Sequence, residues 1–194
     1  MNLSNRINQH FATSIEVQTK TINNLEPQII AAGQLMATCL HQHKILSCGN
    51  GGSAAQSQHF AAEIINRFET ERRALAAISL TTDTSNLTSI GNDYTFENIF
   101  SRQIEALGQD KDILLAISTS GNSPNVLKAV QAAHNKNLSI IALTGCDGGT
   151  IAKILAPTDI EIRIPSQSTA RIQEVHLLVI HCLCDIIDQT LQQD

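Results

Sequence analysis

Five short apolar runs do most to limit the folds open to this chain: residues 44–48 (KILSC), 75–80 (LAAISL), 112–118 (DILLAIS), 139–144 (SIIALT) and 159–164 (DIEIRI). Each has the length of a strand and is too short for an ordinary helix. Most are apolar at consecutive positions, so both faces must be covered. Helical or turn-rich segments separate them. Strands apolar on both faces that alternate with helices specify a parallel sheet packed between two helical layers. The expectation is an α/β fold: a three-layer, doubly wound sandwich with five parallel strands.

Ahead of the first run, Leu3, Ile7, Phe11, Ile15, Ile22 and Leu25 recur mostly every three or four residues among polar ones, the pattern of an amphipathic helix. Glu26-Pro27 is expected to end it, because proline disfavours a helical residue before it and suits the first turn of the next helix. That second helix would run to about His41. At the other end, residues 172–187 are apolar nearly all round, so the last helix is expected to be buried on most faces, inside a subunit or between subunits. A lone domain of 194 residues offers little to cover both ends of the chain, and a homo-oligomer is expected. The division follows: one domain, with residues 1–43 as a helical segment used in assembly and 44–194 as the α/β core.

Charged residues make up 16% of the chain and the net charge is -5, so there is no basic field to drive direct nucleic-acid binding. The five cysteines, Cys39, Cys48, Cys146, Cys182 and Cys184, are odd in number and lie in or beside apolar runs, which fits a reducing cytoplasm better than a disulfide framework. No basic stretch leads into an apolar one at the N-terminus, and no apolar run reaches the ~18 residues of a membrane span. Neither export nor membrane insertion is expected.

Two loops stand where a parallel sheet binds ligands, after the carboxyl ends of strands and at the N-termini of helices. The first is Gly49-Asn50-Gly51-Gly52-Ser53, whose glycines let the backbone approach an anion closely. The second, residues 118–123 (STSGNS), offers the hydroxyls of Ser118, Thr119, Ser120 and Ser123 around Gly121, with Pro124 opening a helix. Turn and capping chemistry alone would explain part of this set. A third glycine turn, TGCDGGT at 144–150, strengthens the ligand reading. Neither G-x-x-x-x-G-K-[ST] nor G-x-G-x-x-G is present, which argues against triphosphates and dinucleotides and makes a sugar phosphate the more natural guest.

His59 and Glu63 are four apart and share a helix face, the geometry of one metal-ligand pair and equally of a surface pair. Gln173 and His181, eight apart in an apolar setting, must find partners and are either structural hydrogen-bonders or site residues.

Together CGNGGSAAQSQHFAAE (48–63), GND (91–93), IFSRQIEALG (99–108), ISTSGNSPNV (117–126), ALTGCDGG (142–149) and RIQEVHLLVIH (171–181) resemble the sugar isomerase (SIS) domain family, and within it the phosphoheptose isomerases. The resemblance implies an isomerase that converts sedoheptulose 7-phosphate to D-glycero-D-manno-heptose 7-phosphate for the heptose of lipopolysaccharide cores, in a homotetramer with one zinc ion per subunit and sites between subunits. It places the metal on His59, Glu63, Gln173 and His181. Substrate contacts fall on Asn50, Gly51, Gly52, Ser53, Glu63, Asn92, Asp93, Ser118, Thr119, Ser120, Ser123 and Gln173, and proton transfer through an enediol on Glu63 and His181. INRFETER (65–72), RIPS (163–166) and CLCDIIDQTL (182–191) resemble another branch, a non-catalytic adaptor that tethers the replication initiator DnaA. The presence of Glu63, His181 and Asp93 favours the isomerase, with DnaA binding as the alternative. A sugar-phosphate-sensing regulator would need a DNA-binding region, and the N-terminal segment has neither the basic character nor the helix-turn-helix pattern for one.

Overall fold

The computed structural model describes residues 2–192. Five strands, β1 (Ile45–Cys48), β2 (Ala77–Ser79), β3 (Ile113–Ser118), β4 (Ser139–Gly145) and β5 (Ile160–Ile164), form one sheet in the order β2-β1-β3-β4-β5. Every pairing is parallel. Neighbouring side chains along a strand serve opposite layers, as the two-residue period requires. Ile113, Leu115 and Ile117 enter one core and Leu114 and Ala116 the other.

The first core lies under α1 (Leu3–Cys39), α2 (Gly52–Ile65) and α7 (Thr169–Leu191). The second lies under α4 (Ser101–Leu107), α5 (Pro124–Asn135) and α6 (Gly149–Ile154), with Leu87 and Ile90 of α3 (Thr84–Asp93) at its margin. The expected sandwich is therefore present, with α2 and α7 as neighbours in one layer. The chain leaves β1 towards β2 and returns to add β3 on its other side. The crevice between the loops after β1 and β3 is thus the topological switch point, where such sheets bind ligands.

One expectation about the N-terminal segment fails. Two helices divided at Pro27 are in fact the single helix α1, with Pro27 inside it. Proline removes one donor from the helical ladder, but Pro27 and Asn23, whose carbonyl loses that partner, are both exposed, so water can satisfy it. Packing on both sides of the proline, through Val17 and Thr21 before it and Ile29, Ala32 and Met36 after it, holds the helix straight through. Gly33 lets α1 approach α7 closely, since a Cβ there would lie 2.6 Å from the Ile186 side chain. The opposite face of α1 carries Leu3, Ile7, Phe11, Ile15 and Ile22, each more than half exposed. All five cysteines are free. Among the described residues no helix is long and apolar enough to cross a membrane.

Candidate functional site

The helix starts divide into two kinds. Those of α1 and α3 are closed by side chains, Asn2 accepting from the Asn5 N–H and Asp83 from the Asn86 N–H. In contrast α2, α5, α6 and α7 begin with no side-chain cap. In α6 the Gly149 and Thr150 N–H groups are taken by Asp147 Oδ1 and Asn122 Oδ1, and in α5 the Val126 N–H by Asn125 Oδ1, but α2 and α5 open directly beside the switch point, where the positive ends of their dipoles favour an anion. Gly51 precedes α2 at φ +54, and a Cβ there would meet nothing within 4 Å. Gly121 has φ +64 and lies so close to the Gly148 carbonyl that any side chain would collide with backbone. The loops after β3 and β4 are thereby locked together, helped by the Ile151 N–H donating to the Gly121 carbonyl at 2.9 Å.

The loops after β1 and β3 are joined as well. Asn50 Nδ2 donates to Asn125 Oδ1 at 2.7 Å, and Asn125 Nδ2 donates back to Asn50 Oδ1 at 2.8 Å. Asn125 is almost fully buried and was not among the expected site residues. The signal in the sequence was its place in the first turn of α5, immediately after Pro124. Ser118 and Ser123 hydroxyls lie 3.0 Å apart, and Ser120 accepts from the Asn122 N–H. Thr119 stands between them on the same loop, and Ser53 is buried in the first turn of α2. The structure thus gathers Asn50, Gly51, Gly52, Ser53, Ser118, Thr119, Ser120 and Ser123 at one crest.

Below this crest α2 and α7 run side by side, both starting at the sheet's carboxyl edge. At the top, the Gln173 amide lies against Gly52, where an added Cβ would come within 2.6 Å of Nε2. Gln56 Nε2 donates to the Gln173 carbonyl at 2.7 Å, while its buried Oε1 has no partner among the described residues. Gln56 is a second residue the sequence did not flag. Two turns further, His59 Nε2 and Glu63 Oε1 are 2.9 Å apart, and the His181 ring meets the His59 ring edge-on at 5.2 Å between centroids. Phe68 stacks on the His181 ring at 5.6 Å between centroids. Lower still, the Cys184 thiol is pushed up to about 12, by burial first and then by the carboxylates of Glu63 and Asp188, with Arg72 acting the other way.

Asn92 and Asp93 are not part of this assembly within one chain. They end α3 in the opposite helical layer, both exposed, with Asn92 Nδ2 donating to Asp93 Oδ1 at 2.9 Å.

Two imidazoles and a carboxylate, with a side-chain amide above them, make a donor set suited to a zinc-type ion. At 2.9 Å His59 Nε2 and Glu63 Oε1 are hydrogen-bonded to each other, closer than the about 3.4 Å that would separate two ligands of a tetrahedral zinc with bonds of about 2.1 Å. Among the described residues no three His, Cys, Asp or Glu side chains are already gathered at ligand spacing. The pair from α2 is in place and His181 lies one ring away.

A family model described as SIS domain matches residues 9–145. Over 192 residues the chain is 61% identical to a phosphoheptose isomerase of Chromohalobacter salexigens, an alignment covering 98% of each. The chain belongs to the phosphoheptose isomerases of the SIS family. Solved structures agree: a phosphoheptose isomerase from Francisella tularensis superposes with a TM-score of 0.95 at 47% identity. One from Neisseria gonorrhoeae gives 0.91 at 52%, and each covers 97% of this chain and 100% of the other. The expected family, fold and isomerase class are borne out, and the DnaA-tethering alternative draws no support from these relatives.

Proposed function

We propose that this isomerase interconverts sedoheptulose 7-phosphate and D-glycero-D-manno-heptose 7-phosphate, in the cytoplasm, as a step towards lipopolysaccharide heptose. The observation that carries the reading is the pairing of an uncapped, glycine- and hydroxyl-lined crest with a carboxylate and imidazole on the adjoining helices. The crest takes the phosphate monoester through main-chain N–H groups and the hydroxyls of Ser53, Ser118, Thr119, Ser120 and Ser123. The Asn50 amide, held by Asn125, and the Gln173 amide over Gly52 orient the sugar hydroxyls.

Ketose and aldose differ by the place of one carbonyl and two protons. One of Glu63 and His181 removes the C1 proton and passes a proton to the C2 carbonyl oxygen, giving the enediol. The other gives a proton to C2 and takes the O1 proton. Nothing is consumed, so each group is restored after a full cycle. A zinc ion held by His59, Glu63, Gln173 and His181 would supply electrophilic stabilisation of the developing enediolate charge. The exposed apolar stripe of α1 and the uncovered face of α3 support assembly as a homotetramer, with Asn92 and Asp93 completing a neighbour's site.

The test is conversion of sedoheptulose 7-phosphate by the zinc-supplemented protein, read as trapped aldose by mass spectrometry, beside Glu63→Gln. Aldose from the parent and none from folded E63Q is expected. No aldose from a folded, metal-loaded parent would overturn the substrate assignment.

A further inference from the structure

Arg72 lies in the segment between α2 and β2, outside every residue set assigned to the site, yet its guanidinium is used at each nitrogen. Nη2 donates to the Glu63 carbonyl at 2.8 Å, and Nη1 donates to the Ile64 carbonyl at 2.9 Å and the Arg73 carbonyl at 3.1 Å. Nε donates to Asp188 Oδ1 at 2.6 Å, while Thr70 Oγ1 reaches the other carboxylate oxygen at 3.4 Å. The pair is buried, with side-chain exposure of 7% for Arg72 and 2% for Asp188.

The positions of these contacts matter. The Glu63 and Ile64 carbonyls belong to the last turn of α2, where main-chain acceptors lack helical partners and a cation is favoured by the dipole. Asp188 stands seven residues beyond His181, two turns along the same face of α7. One planar fork therefore grips the very residue whose side chain is Glu63 and, through Asp188, the helix that carries His181. A lysine at this position keeps the charge but has a single nitrogen and no fork.

We propose that Arg72 is a positioning residue of the isomerase, a clamp that fixes the separation between Glu63 and His181. The proposal rests on the reading that these two side chains transfer the protons. Misplacement of reacting groups by about 1 Å can cost about 100-fold in rate. Arg72→Lys is accordingly expected to lower kcat about 10- to 100-fold with KM within about threefold. In the double variant R72K/D188E the longer carboxylate meets the lysine and restores the ion pair, but not the carbonyl contacts. Its melting temperature is expected to recover towards the parent while kcat stays low.

If Arg72 serves stability alone, kcat per folded molecule is unchanged in R72K, or returns together with the melting temperature in R72K/D188E. Either result overturns the clamp. Asp188→Asn keeps the guanidinium and weakens only its far anchor, and a drop in kcat of about three- to tenfold is expected. Unchanged kcat in D188N overturns the proposal even if R72K fails to fold. Glu63→Gln assayed alongside separates the two levels: an active E63Q removes the underlying reading and the clamp with it, whereas a dead E63Q with a fully active R72K removes the clamp alone.

Discussion

The α2–α7 pair and α3 each carry residues proposed to meet the sugar, but they are built differently. On α2 and α7 every such residue neighbours buried ones on the same helix: His59 and Glu63 flank Phe60, Ala61 and Ile64, and His181 follows Val179 and Ile180. Helix α3 has no buried residue at all, and Asn92 and Asp93 lie at its exposed end. Proton transfer tolerates little error in position, and the groups proposed for it sit on helices locked into a core. The groups proposed only to bind a hydroxyl stand on a helix that has no buried face in one chain.

The largest effect is expected where the locked pair is proposed to do chemistry. His181→Ala should lower kcat by about 10²- to 10⁴-fold, the usual contribution of a general acid or base, with the fold and assembly intact. Circular dichroism and light scattering check the second half of that statement. Near-parental turnover in folded H181A would remove the distinction between the two regions. A smaller loss should follow at the top of the same pair. In Gly52→Ala the new methyl group displaces the flexible end of Gln173 rather than backbone. About 10- to 100-fold lower turnover with a nearly unchanged melting temperature is expected. A collapse in stability instead would show that Gly52 serves packing.

The same contrast explains what could be read from the chain alone. The strands were legible because consecutive apolar residues over four to seven positions have few other solutions, and β3 and β4 fall within a residue of the runs that announced them. Pro27 misled because its effect depends on exposure, which sequence does not display. His59 and Glu63 could be paired from helical spacing. Their approach to His181, more than a hundred residues away, is a property of the packed layer and came only from the family resemblance. Asn125 and Gln56 were missed because an amide at a helix start looks like any other polar residue until its partner is known. Arg72 was invisible for a similar reason: its partners are mainly backbone carbonyls, which every sequence possesses.

For α3 the expected change is milder and of another kind. Asp93→Asn should lower kcat/KM by about tenfold, as loss of one charge-assisted hydrogen bond would, and leave the melting temperature unchanged because the residue is exposed. Mixing sharpens the comparison further. If α3 of one subunit completes the site on α2 and α7 of another, D93N and H181A chains refolded together will form some sites free of both changes. Activity well above the mean of the two separate variants is then expected. Activity equal to that mean would place the whole site within one chain.

The smallest effect concerns what holds α7 itself. His176 is fully buried, and because the Thr144 carbonyl can only accept, Nε2 carries the proton in their 2.8 Å bond. Its Nδ1 is buried with no partner among the described residues. Burial pulls its pKa down to about 4, against the raising effect of the bond to Thr144. The unfolded chain therefore takes up this proton more readily than the folded one, and stability rises with pH between about 4 and the ordinary value near 6.5. The contribution is fully present above 6.5 and is lost as the pH falls towards 4. Stability should begin to drop between pH 7 and pH 6 and be lower by about 2 kcal/mol at pH 5. Glutamine can donate to the same carbonyl without titrating, so H176Q should flatten that part of the slope whatever its overall stability. Denaturant unfolding of both proteins at pH 7, 6 and 5 and one protein concentration decides the matter. Parallel slopes would mean that the buried imidazole is not the source of any acid sensitivity in this helical layer.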